Sequence, residues 1–68
     1  MITATENKIE ELIDKVGLED FLTAIEEVCY QKEEHIIANW QDTFLANKWH
    51  KVAKMVGMAA NQANIYQL

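Results

Sequence analysis

No proline interrupts this chain, and its only glycines are Gly17 and Gly57. A sequence of that kind supports long helices and leaves few places for a tight turn. One such place is the polar cluster Asn39-Trp40-Gln41-Asp42-Thr43, which interrupts two stretches of helical apolar rhythm. Asn39 is able to take the left-handed conformation that ends a helix. Asp42 or Thr43 can then accept a hydrogen bond from the free amides of the next helix. The segment Ile36 to Trp49 is therefore expected to be the turn of a helical hairpin. Trp40 and Trp49, the two largest apolar surfaces, are expected to share the core beside it.

Before the turn, two helical stretches can be read. Ile9, Leu12, Ile13 and Val16 fall at i, i+3, i+4 and i+7, one face of a short amphipathic helix. Thr5 is the expected cap, and Gly17 the terminating residue. A helix this short is unstable alone and has to dock on something. From Leu18 a second stripe runs through Phe21, Leu22, Ile25, Val28 and Cys29 to Ile36, within about 120° of one another on a helical wheel. Lys32 and Glu33 break it. The simpler account gives both a buried stem and a solvated head at the stripe edge. The sharper one makes them a polar contact inside an interface, fixing register or oligomeric state.

The third helix is expected from near Thr43 to about Asn64. Leu45, Trp49, Val52, Ala53, Val56, Ala59, Ala60 and Ala63 line one face, and the alanines would let a neighbour approach closely. Phe44, Met55 and Met58 form a second apolar strip. A helix with two strips touches more than one neighbour, within the chain or in another subunit. The expected fold is all-α: one domain over residues 1–68, a three-helix bundle with a long antiparallel hairpin of helices 2 and 3. The short first helix packs across both, and oligomerisation completes the core. The tail Ile65-Tyr66-Gln67-Leu68 is expected either to fray or to dock on a partner, and Gly57, off the main stripe, has no role in this scheme.

Sixty-eight residues form a marginal core, and no staple is visible. One cysteine makes no internal disulfide, and no cysteine–histidine set has zinc-finger spacing. Self-association is the remaining source of stability, so the expected partner is a second copy, as a homodimer or larger assembly, or another protein. The interface residues expected from sequence are Phe44, Met55, Met58, Lys32 and Glu33. A lone cysteine fits a reducing interior. Met1-Ile2-Thr3-Ala4-Thr5-Glu6 lacks the basic start and apolar stretch of a signal peptide. A cytoplasmic location is the expectation.

Charge restricts the partners further. Residues 1–41 carry ten acidic residues against three lysines, whereas residues 42–68 carry three lysines against Asp42 alone. The net charge of −5 repels nucleic acid and anionic membranes. Lys48, Trp49, His50, Lys51 and Lys54 make a modest basic-aromatic patch, but a chain without arginine has little means of bidentate base reading. Neither nucleic acid nor membrane is an expected partner. An acidic regulator would instead present Glu10, Glu11, Glu19, Asp20, Glu26 and Glu27 to a basic protein.

Little in the chain suggests catalysis. Cys29 and Glu33, four apart, share a helical face as two ligands would, but His35 projects to one side and does not complete the set. The ordinary role of Cys29 is a small buried thiol. His35, in the last turn of the second helix, interacts favourably with the helix C-terminus. There is no glycine-rich phosphate loop, no serine–histidine–acid order and no paired-carboxylate motif. No enzymatic activity, cofactor or metal is expected, and a ligand- or metal-binding bundle using Cys29, Glu33 and His35 is the alternative.

The run Cys29, Lys32, Glu34-His35-Ile36, Asn39-Trp40-Gln41-Asp42, Leu45, Ala46, Lys48 and Trp49 resembles a pattern seen in small uncharacterised helical bacterial proteins. The resemblance covers the middle third of the chain. It implies a bacterial cytosolic setting and a shared hairpin turn, with the first helix and tail variable. It carries no catalytic site.

Overall fold

The computed structural model describes residues 3–68. Met1 and Ile2, with which the leader comparison began, lie outside the described residues. Three helices follow one another: α1 (Ala4–Val16), α2 (Leu18–Trp40) and α3 (Thr43–Ile65). The fold is an all-α bundle dominated by the α2–α3 hairpin, and no strand occurs among the described residues.

α1 begins two residues before the expected cap. The Thr3 hydroxyl, not that of Thr5, accepts from the Glu6 amide at 3.1 Å. Thr3 has the advantage of an acid three residues on, the sequence form of a capping box, whereas Thr5 has Lys8 there. At the other end Gly17 donates its amide to the Ile13 carbonyl at 2.7 Å and adopts φ 91°, ψ 155°. A side chain is strained in that region of backbone space. Gly17 also precedes the first residue of α2 directly, so a single residue joins the two helices.

α2 ends later than Asn39. The left-handed residue is Gln41, at φ 52° and ψ 28°, and its amide bonds to the Ile37 carbonyl at 3.2 Å. Asn39 stays helical and turns its side chain back along the helix, where Nδ2 donates to the His35 carbonyl at 2.9 Å. Asp42 then caps α3, with Oδ1 accepting from the Leu45 amide at 2.9 Å. The five-residue turn read from sequence thus contracts to Gln41 and Asp42.

The hairpin seam is built from small side chains. α2 contributes Cys29 and Ile36; α3 contributes Ala46, Ala53, Ala60 and Ala63. Ala46, Ala53 and Ala60 recur every seven residues, as do Cys29 and Ile36, the spacing that keeps one face of a helix against its partner over several turns. Trp49, Val56 and Ala63 occupy the positions three residues further on, the first two half-buried. The phase of the alanines also moves Leu45 off the seam, leaving it exposed beside buried Ala46.

Trp40 does not share the core, with 73% of its surface exposed. The hairpin register explains this. Glu33 of α2 meets His50 of α3, and Glu26 lies against Gly57. Seven residues further along α2 and seven back along α3, the same register sets Trp40 opposite Thr43, where α3 only begins. No helix remains beyond that point to cover the ring. Trp49, a turn and a half inside α3, is half-buried.

The other departure from expectation is α1. It packs on α2 alone and makes no contact with α3, so it lies to one side of the hairpin instead of crossing it. Ile9, Leu12 and Val16 remain exposed on its apolar face. The tail neither frays nor waits for a partner. Gln67 takes a left-handed conformation (φ 59°), its amide bonds to the Asn64 carbonyl, and the Leu68 amide reaches the Ala63 carbonyl at 2.9 Å. This pair of bonds is a Schellman ending. The Leu68 carbonyl then accepts from the Glu19 amide at 3.4 Å. That amide lies in the first turn of α2, where Gly17 provides no side-chain cap.

Candidate interaction surfaces

Polar side chains meet across the seam at one place. His50 Nδ1 lies 3.1 and 3.0 Å from Glu33 Oε1 and Oε2, close enough to donate to the carboxylate. The Tyr30 ring meets the imidazole edge to face, with centroids 5.6 Å apart. Glu33, expected among interface residues, is thus committed within its own chain, at the α2–α3 boundary. Sequence reasoning assigned Glu33 and His50 to different contexts. Their pairing follows only from the hairpin register, which places i and 83 − i together: Glu33 with His50 and Glu26 with Gly57.

That register also accounts for Gly57. A Cβ built there would overlap the Glu26 carboxylate, so the glycine makes room for an acidic side chain of α2. Glu26 consequently faces α3, and the six acids expected of an acidic regulator do not share one face. Glu10 and Glu11 lie on α1, apart from the hairpin.

Cys29 is buried in the seam, Glu33 pairs with His50, and His35 is exposed with its Nδ1 3.1 Å from Asn39 Nδ2. Among the described residues no three histidines, cysteines or acids come together as a metal would require. The basic-aromatic patch is divided in the same way, with His50 tied to Glu33 and Trp49 turned inward. Lys48 lies over the Phe44 ring, its Nζ 4.5 Å from the centroid. No described helix is long and apolar enough to cross a membrane.

Two apolar surfaces remain. The first is the outer stripe of α3, where Phe44, Met55 and Met58 are exposed as the sequence strip implied, with Lys48 and Lys51 between them. Lys32, the remaining expected interface residue, is exposed on α2 and lines a different, shallow hollow with Val28, Gln31 and His35. The second surface was missed from sequence. It is an open cleft of about 590 Å³ between α1 and the hairpin, lined mainly by Leu12, Val16, Phe21, Ala24, Val28 and Trp49. Every one of these was read as a core or stripe residue or left unremarked. The sideways placement of α1 converts that intended core into a surface. Comparison with known proteins found no matching family model, no similar curated protein and no similar solved structure.

Proposed function

We propose that this is a small non-catalytic helical protein that works in a self-associated form, through protein–protein contact, in the bacterial cytoplasm. One observation carries the self-association. The chain exposes 5494 Å², whereas a compact monomer of this mass exposes about 4,400 Å². The surplus of about 1,000 Å² exceeds the roughly 800 Å² that each partner contributes to a standard stable complex. Its radius of gyration, 13.9 Å, is likewise above the about 11 Å of a compact chain of this length. The buried seam helps to explain why: it holds no side chain larger than Ile36, while large apolar groups lie outside it.

Analytical ultracentrifugation between about 1 and 100 μM tests the proposal. The expected result is a dimer or larger species that dissociates on dilution. A single 7.9 kDa species throughout that range would overturn it.

A further inference from the structure

Resting on that self-association, we propose that the second copy is received at the cleft between α1 and the hairpin, cleft against cleft about a two-fold axis, and not along the outer stripe of α3. Four observations support the choice of face. α1 is a 13-residue helix, below the length at which a helix persists in water without tertiary cover. It nevertheless packs on α2 alone and leaves Leu12 47% exposed. The facing wall presents Phe21, Val28 and Trp49, with Val28 49% exposed and Asp20 the one charged residue at the lining. An apolar opening of about 590 Å³ otherwise holds on the order of twenty waters at ~30 Å³ each.

The outer stripe is a poorer site. Lys48 and Lys51 interrupt it, and Lys48 already covers Phe44. Burying it would desolvate two ammonium groups for which the face supplies no acid. The cleft carries no such obstacle. A surface without directional polar groups is self-complementary, and a two-fold contact requires just that. The surplus surface matches the area that such a contact covers. In the dimer the apolar face of each α1 gains the second wall that its own α3 does not provide, and Trp49 passes from half-buried to buried.

The test uses the full chain in a Trp40→Phe background, which leaves Trp49 as the only indole. As concentration rises through the dissociation range, Trp49 emission is expected to shift to the blue in step with the sedimentation-derived dimer fraction. Leu12→Lys and Val28→Lys are each expected to weaken association by about tenfold or more, at unchanged helical circular dichroism. Both reduce the net negative charge, so a loss of association cannot arise from added repulsion. Met55→Lys and Met58→Lys are expected to leave association within about twofold.

A dimer that survives both cleft substitutions, or one broken by Met55→Lys or Met58→Lys, overturns the assignment of the face while self-association stands. A monomer at every concentration removes both. If a cleft variant loses its helicity, the concentration dependence of Trp49 emission decides alone, and unchanged emission across a dimerisation measured by sedimentation overturns the proposal. A native mass spectrum of a monomer carrying a small apolar molecule, lost in Val28→Lys, also overturns it and makes the cleft a ligand site.

Discussion

Replacing Gly57 with alanine tests whether the hairpin register is as described. In an open helical position that change stabilises a helix by about 1 kcal/mol. Here the new methyl would lie 2.9 Å from Glu26 Cδ and 3.3 Å from Oε1, with Oε2 closer still. The obstacle is the far end of a flexible side chain, so Glu26 swings aside and the backbone stays in place. A displacement off its rotamer costs about 0.5–1.5 kcal/mol. The two terms nearly cancel, and Gly57→Ala alone is expected to change stability by less than about 0.5 kcal/mol. In a Glu26→Ala background the obstacle is gone, and the same substitution is expected to stabilise by about 1 kcal/mol. A double-mutant cycle therefore gives a coupling of about 0.5–1.5 kcal/mol. Urea and thermal melts read it, at one fixed protein concentration because association makes the midpoint concentration-dependent. For a domain of this size 1 kcal/mol corresponds to about 4–8 °C. Equal effects of Gly57→Ala in both backgrounds would refute the contact and, with it, the register.

Other substitutions probe the seam, the joint and the turn. Ala53→Leu enlarges the most buried position, at 0% exposure, and is expected to destabilise by about 1–3 kcal/mol in urea denaturation by forcing the helices apart. Gly17→Ala places a side chain at φ 91° and is expected to cost about 1–3 kcal/mol; a melt unchanged from wild type would show that the joint is not held there. Asp42→Ala removes the α3 cap and is expected to cost about 1 kcal/mol, with Asp42→Asn retaining most of the stability. Trp40→Phe is expected to stay within about 0.5 kcal/mol of wild type in the same melts, since the ring lies outside the core.

Helices and their order were legible because periodicity and caps are local. Ile9 to Val16 and Leu18 to Ile36 show their faces directly, and Asp42 is an unambiguous capping residue. What was not legible depends on how two faces meet. Leu45 and Ala46 are neighbours in sequence, and only the seven-residue recurrence of Ala46, Ala53 and Ala60 decides which one faces α2. Trp40 looked like a core residue because large apolar rings usually are; its place at the hairpin tip depends on where α3 starts. Gly57 is unexplained by its own helix and acquires a reason only from Glu26 on the opposite one. The cleft was least accessible, because it arises from an angle set at Gly17 and not from the composition of any helix.

Because α1 rests on α2 alone, the molecule has two levels of local stability. Amide hydrogens in the middle of α2 and α3 exchange only when the seam opens, whereas those of α1 exchange through a partial opening that leaves the hairpin intact. Deuterium uptake will therefore divide the chain at Gly17. Where a second copy covers the cleft, the amides before that glycine slow as concentration rises, and α1 becomes the part of the chain that reports its own assembly.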